Sequence, residues 1–285
     1  MNGEHLLASS RNLLSLSEYQ RLIIINSDKL WVEYAQVSKI INYVQNILRV
    51  DSRTQAPCML VAGEGGTGKS SIIAQIKALP EWKGRLVYIA LNQNPQNISL
   101  RELFIDSLGL PMGKYKGYAP QKASMPREIV DVISLRGIKG VVIDEFNDGL
   151  LVPKNEQLKN LSFLKGLSGP PYHLSIFGFG TLVSRNALSY DPQLNRRFHK
   201  VELCDWKETE EFRSFLAGIE ENIPLKIPST LYDQEKVNYL LVHTQGRMDG
   251  VIKLIRCAAS YAVRSGEERI TIKLLERARL EPFGY

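Results

Sequence analysis

Eight consecutive residues, Gly63-Glu64-Gly65-Gly66-Thr67-Gly68-Lys69-Ser70, constrain this chain more than any other feature, because they fill every fixed position of the pattern G-x-x-x-x-G-K-[ST]. The pattern demands a setting, and the flanks supply it. Cys58-Met59-Leu60-Val61-Ala62 is an apolar run suited to a buried strand, and Ser71-Ile72-Ile73-Ala74-Gln75-Ile76 continues as a helix, so strand, glycine loop and helix follow in the order a triphosphate cradle requires. Glycines at 63, 65, 66 and 68 let successive backbone N–H groups turn onto phosphate oxygens, and the helix that starts near Lys69 adds the positive end of its dipole. The expected cradle runs from Gly63 to Ser71, with Glu64 and Thr67 inside the loop. Lys69 reaches the β and γ phosphates and the Ser70 hydroxyl is a ligand of Mg²⁺. The expected cofactors are therefore ATP and Mg²⁺.

A phosphate loop serves kinases, motors and switches alike, so a second motif has to say what the nucleotide is for. Val141-Val142-Ile143-Asp144-Glu145 runs from apolar residues straight into paired acids, as a fully buried parallel strand does when it delivers carboxylates to its C-terminal edge. Asp144 is expected to hold the metal. Glu145 is expected to orient the attacking water, since adjacent side chains on a strand end point different ways. A base that activates water would waste ATP in a small-molecule kinase, so the glutamate favours hydrolysis.

The remaining composition is that of an ordinary globular chain: 285 residues, 44% hydrophobic and 23% charged, with a net charge of +6. No apolar run approaches the roughly 18 to 20 residues needed to span a bilayer, and no basic stretch followed by an apolar one opens the chain. A cytoplasmic protein without a membrane segment is expected. Cys58, Cys204 and Cys257 are odd in number and widely spaced, which indicates neither a disulfide framework nor a zinc site. They read as small buried or half-buried residues. Lys114, Lys116 and Lys122 are interleaved with Tyr115 and Tyr118 in a Gly- and Pro-bearing segment that suits either plain solvation or a grip on a nucleic-acid backbone.

Along the chain, residues 1–16 carry little signal and read as loosely attached, while Leu22–Leu48 has apolar residues at helical spacing. Arg85–Ala90, Leu174–Gly178 and Lys200–Leu203 read as further strands. Ser99-Leu100-Arg101-Glu102 has the form of a capping box that opens a helix. Strands alternating with helices predict an α/β fold, a parallel five-stranded sheet covered by helices. Beyond Trp206 the pattern turns helical through Thr209–Leu216, Gln234–His243, Met248–Ser265 and Ile272–Arg279, a small C-terminal helical lid. The expected division is an N-terminal helical segment (1–50), a nucleotide-binding domain (51–205) and the lid (206–285).

The order of these features resembles the AAA+ P-loop ATPases, and among them the TniB/TnsC family of transposition regulators. The phosphate loop, Val141–Glu145, and Phe177-Gly178-Phe179-Gly180-Thr181 followed by Asp191-Pro192-Gln193-Leu194-Asn195-Arg196-Arg197-Phe198 carry the likeness. The resemblance implies that Thr181 reads the γ-phosphate through water and that an arginine finger lies at Arg197, with Arg196 as second candidate. A finger that serves a neighbouring subunit implies a homo-oligomer, a ring or a helical filament. It further implies double-stranded DNA, an integrase-type transposase and a TniQ-like targeting protein as partners, with the Lys114–Lys122 segment where the family presents DNA-contacting loops. In related proteins a lid arginine follows a glycine by four residues. Here Gly250 occupies that place in Gly246-Arg247-Met248-Asp249-Gly250, which leaves Arg247 as the candidate for a second nucleotide sensor. Other classes remain open. A helicase-loading or replication-initiator ATPase shares this outline. A nucleotide-binding signalling switch would carry a long sensor or repeat region after the lid, and a small-molecule phosphotransferase would carry several arginines near the phosphate loop.

Overall fold

The structure, a computed structural model, describes residues 3–28, 31–50, 53–91, 99–110 and 127–285. Five strands, β1 (Cys58–Gly63), β2 (Leu86–Ala90), β3 (Gly140–Asp144), β4 (Ser175–Gly180) and β5 (Phe198–Leu203), form one sheet in the order β2-β3-β4-β1-β5. Every pairing is parallel. β1 and β4 are buried along their whole length, which is why they read as unbroken apolar runs rather than as alternating ones.

Helices Leu100–Ser107, Arg127–Leu135 and Lys154–Leu167 cover one face of the sheet, where Phe104, Ile129, Leu161 and Leu164 pack with Leu60, Val141, Ile143 and Ile176. The capping box read at Ser99 forms: its hydroxyl accepts the Glu102 amide and the Glu102 carboxylate accepts the Ser99 amide. Because every pairing is parallel, the C-terminal ends of β1, β3 and β4 gather at one end of the sheet, the place where parallel α/β sheets hold ligands.

The chain divides into two units, Lys39–Cys204 and a helical one that joins Met1–Ser38 to Asp205–Tyr285. This differs from the division into 1–50, 51–205 and 206–285. Within the segment 1–16, read as loosely attached, the described residues 3–16 are anchored: Leu6 is buried, and the Gly3 and Leu7 amides donate to the Lys226 and Glu221 carbonyls. The Arg21 guanidinium, 4% exposed, donates to both oxygens of Glu268 and to the Pro224 carbonyl. Leu22 and Ile25 share a core with Phe212, Leu216, Ile255 and Ala258. Pairings across more than two hundred residues leave no mark on local periodicity.

The helical run read through Leu22–Leu48 is two helices, Glu18–Ile25 and Ala35–Leu48. Asn26 ends the first, its side-chain amide donating to the Leu22 carbonyl and the Ser260 hydroxyl, and such side chains compete with the helix for backbone groups. The helix Glu18–Ile25 belongs to the helical unit, which also holds Ala8–Arg11, Glu210–Asn222, Gln234–Thr244, Met248–Ser265 and Ile272–Leu280, whereas most of Ala35–Leu48 belongs to the other unit. No described helix is long and apolar enough to cross a membrane.

Candidate functional site

The glycine loop leaves the C-terminal end of β1 and turns on two left-handed residues, Gly66 (φ 78°) and Gly68 (φ 91°), before the helix Lys69–Ala78. Glycine accepts that backbone without steric cost. Gly63 is needed for a different reason, close approach: a Cβ there would lie 2.8 Å from Thr67 Oγ1 and 2.9 Å from the Leu203 carbonyl oxygen. Thr67 Oγ1 donates to the Glu64 carbonyl at 2.9 Å and so closes the loop on itself. Lys69 is 7% exposed, and its Nζ donates to the Gly63 and Glu64 carbonyls at 2.8 Å each. Glu64, Gly65, Ser70 and Ser71 are exposed.

Across from the loop, Asp144 ends β3 with Oδ2 3.5 Å from the Ser70 hydroxyl, while its Oδ1 accepts the Glu145 amide at 2.9 Å. The carboxylate is thus fixed by the Glu145 amide on one side and faces the Ser70 hydroxyl on the other. A hydroxyl and one carboxylate fit a magnesium ion, which takes few protein ligands and completes its shell with water and substrate phosphates. No cluster of three or more His, Cys, Asp or Glu residues competes for a metal among the described residues. Glu145 adopts the left-handed conformation, φ 50° and ψ 48°. For a residue with a Cβ this costs about 1 kcal/mol or more. A sharp turn, not strand alternation, therefore separates the two acids, and it starts the short helix Phe146–Leu150.

That helix lies on β4, and the glycines of Phe177-Gly178-Phe179-Gly180-Thr181 explain how. A Cβ at Gly178 would lie 2.9 to 3.1 Å from Phe146 ring atoms, and one at Gly180 would lie 2.9 Å from Asn147 Oδ1 and 2.6 Å from Ser184 Oγ. The Asn147 carboxamide, which the sequence reading missed, accepts the Thr181 amide at 3.1 Å and donates to Asp148 Oδ1 at 2.7 Å. Its signal was present as two glycines one residue apart on a strand, a pattern that marks a close neighbour.

Asp191–Arg197 is a compact corner before β5. The Asp191 side chain caps the turn Pro192–Asn195 by accepting the Leu194 amide at 3.0 Å and pairs with Lys165 at 2.8 Å. Partial burial opposes ionisation of Asp191, but the Lys165 ammonium and the Leu194 and Gln193 amides outweigh it and hold the carboxyl below its usual range. Arg197, favoured over Arg196 as the finger, is turned inward: Nη1 donates to the Ser168 hydroxyl at 2.7 Å and to the Lys165 carbonyl at 3.0 Å. Arg196 is exposed and makes no side-chain hydrogen bond or ion pair among the described residues. Both precede β5, whose first residue pairs with the first residue of β1. They stand at the sheet edge opposite the phosphate loop, a strand length of about 20 Å away at ~3.3 Å per residue.

Cys58 and Cys257 are buried as read, and burial pushes the Cys58 thiol up to about 12, whereas Cys204 is exposed. In the helical unit Arg247 precedes the helix Met248–Ser265, with Nε 2.7 Å from Asp205 Oδ1 in an ion pair that lacks hydrogen-bond alignment. Lys114, Lys116 and Lys122 lie outside the described residues.

The β2-β3-β4-β1-β5 sheet, the glycine loop after β1 and the acids after β3 define an AAA+ fold. The chain belongs to the TniB family: the family described as bacterial TniB protein matches residues 21–208. Solved structures similar to it include the ORC2 protein of Aeropyrum pernix in ADPNP–ADP complexes, at 16% identity and TM-score 0.63 over 92% of this chain and 72% of that one. The ORC1 protein of A. pernix in complex with DNA gives 17% and 0.61 over 91% and 69%. Cdc6p of Pyrobaculum aerophilum gives 12% and 0.61 over 92% and 71%. No curated protein matches.

Proposed function

We infer that the protein is an ATP-dependent, DNA-binding regulator of transposition, which oligomerises on target DNA in its ATP state and recruits or activates a transposase. The observation that carries this is the TniB match over residues 21–208, spanning a phosphate loop whose Ser70 faces Asp144 with Glu145 next in chain.

In this reading the backbone amides of Gly63–Ser70 and the Lys69 ammonium bind the triphosphate, releasing Lys69 from the Gly63 and Glu64 carbonyls it now contacts. Ser70 and Asp144 would hold Mg²⁺, which supplies charge neutralisation at the β and γ phosphates. Glu145 orients the attacking water and takes its proton, while Thr181 fixes the γ-phosphate end. The strand length between Arg196 and its own phosphate loop favours service to a neighbouring subunit, where a guanidinium stabilises charge on the transferring group. Its exposure makes Arg196 a better finger than Arg197. Double-stranded DNA, an integrase-type transposase and a TniQ-like protein are the partners that family membership favours, in the cytoplasm, with Lys114, Lys116 and Lys122 toward the DNA backbone and Arg247 as lid sensor. A helicase-loading or replication-initiator role is the second reading, favoured by the ORC- and Cdc6-like fold.

The test is assembly on duplex DNA, by gel shift and negative-stain imaging, with ATP, a non-hydrolysable analogue or ADP, alongside turnover of Glu145→Gln. Assembly with ATP and its analogue but not ADP, and a variant that binds ATP and DNA yet does not turn over, are expected. Assembly indifferent to nucleotide would sink the regulator reading, and unchanged turnover would remove Glu145 from its role. Stimulation of a replicative helicase in place of a transposase would favour the second reading.

A further inference from the structure

The hydrolytic reading gives Glu145 and Thr181 separate tasks, yet both act on one γ-phosphate and have to stay in register. They come from different strands. Glu145 follows β3 through a left-handed turn, and Thr181 follows β4. Three contacts tie the two together. The Phe146 ring rests on Gly178, Asn147 rests on Gly180, and Asn147 Oδ1 accepts the Thr181 backbone amide at 3.1 Å. The other end of the carboxamide is also engaged, with Nδ2 2.7 Å from Asp148 Oδ1, and the residue is 8% exposed. The Glu145 carbonyl accepts the Asp148 amide at 2.8 Å, so the loop from Glu145 through Asp148 back to Asn147 closes.

We propose that Asn147 is a positioning residue for ATP hydrolysis, its carboxamide coupling the water-orienting Glu145 to the γ-phosphate-reading Thr181. This rests on the roles assigned to those two residues above. Only a side chain with an acceptor and a donor on one short stem meets both contacts, because aspartate would face Asp148 with a second negative charge and a hydrophobic side chain would leave the Thr181 amide unpaired. Gly178 and Gly180 follow from the same arrangement, since a Cβ at either would lift the helix off β4 and with it the turn that aims Glu145.

The test uses the full chain with Asn147→Ala, Asn147→Asp, Thr181→Ala, the Asn147→Ala/Thr181→Ala pair and Glu145→Gln. Turnover, KM, affinity for a fluorescent ATP analogue and melting temperature are measured for each. Asn147→Ala should lower kcat about 10- to 100-fold, the scale of a misplaced catalytic group, with KM and nucleotide affinity within about threefold of wild type. Asn147→Asp, which keeps the oxygen for the Thr181 amide, should recover a larger share of kcat than alanine. The double variant should fall no more than about twofold below the weaker single one, because Thr181→Ala removes the hydroxyl that Asn147 positions through the Thr181 backbone amide, leaving Asn147 little left to position. Wild-type kcat in Asn147→Ala, a loss of affinity matching the loss of kcat, or multiplying effects in the double variant would each overturn the proposal. Should Asn147→Ala fail to fold, Asn147→Ser, whose hydroxyl is too short to reach Thr181, carries the same expectations. Unchanged turnover in Glu145→Gln marks failure of the hydrolytic reading itself, whereas loss there with full activity in Asn147→Ala marks failure of this proposal alone.

Discussion

Alanine at position 197 removes a guanidinium that donates to the Ser168 hydroxyl at 2.7 Å and to the Lys165 carbonyl at 3.0 Å. Hydrogen bonds from a charged group are worth about 1.5 to 3 kcal/mol each when buried. Three features of this site reduce the sum. Arg197 is half-buried, its Nε is enclosed without a partner among the described residues, and the Ser168 hydroxyl keeps its bond to the Leu164 carbonyl at 3.1 Å. A loss of about 2 to 3 kcal/mol is expected, which for a unit of this size lowers the melting temperature by about 4 to 12 °C. Alanine at exposed position 196 should change stability by no more than about 0.5 kcal/mol. If Arg196 serves the neighbouring subunit's phosphates, the same change should lower DNA-stimulated turnover about 10³-fold. Mixing separates action in trans from action in cis. Arg196→Ala subunits keep Glu145, and Glu145→Gln subunits keep Arg196, so the mixture of two dead proteins should regain turnover at interfaces that pair one of each. Calorimetry and a phosphate-release assay across mixing ratios read both arms. Full turnover in Arg196→Ala, or no recovery at any ratio, would refute the trans assignment. An Arg197→Ala protein as stable as wild type would refute the inward role of Arg197.

Gly178→Ala sets a Cβ about 3 Å from the Phe146 ring, an overpacking expected to destabilise by about 1 to 3 kcal/mol and to lower turnover by displacing Glu145; urea unfolding that matches wild type would show that the helix does not need this close approach. Burial opposes ionisation of Glu268, but Arg21 and then Lys226 outweigh it and hold the carboxyl below its usual range. Its contribution is therefore complete above the unfolded value of about 4.3 and is lost as pH falls through the lower folded value. Urea midpoints from pH 7 to pH 3 should show an acid limb that Glu268→Gln flattens. At pH 7 the same variant should lose about 3 to 5 kcal/mol by leaving Arg21 buried without its partner, and an unchanged limb would contradict the assignment.

Much of the candidate site was legible because its geometry is local. Gly66 and Gly68 adopt positive φ within one loop, and Lys69 and Ser70 follow within two residues of it, so the motif and the geometry are nearly the same statement. The strands were legible for a related reason: burial on both faces writes an unbroken apolar run, as in β1 and β4. Asn147 itself was not legible, because its partner Thr181 follows a strand distant in the chain and a lone asparagine beyond two acids carries no periodic signal; only the close neighbour implied by Gly178 and Gly180 left a trace. Arg196 and Arg197 were legible as a pair but not as individuals. Which of them turns inward depends on Lys165, in the last turn of the helix Lys154–Leu167, and on Ser168, the residue that ends it.

The sequence by itself determined a glycine loop of the phosphate-binding pattern, a parallel α/β sheet and a helical C-terminal region, because loop conformation and two-faced burial are set by residues within one element. Tertiary structure decided the rest. It joined Met1–Ser38 to the C-terminal helices through Arg21 and Glu268, separated Arg196 from Arg197, and set Asn147 between Glu145 and Thr181. Those outcomes depend on hydrogen bonds between segments far apart in the chain, whose geometry exists only once the core has brought them together.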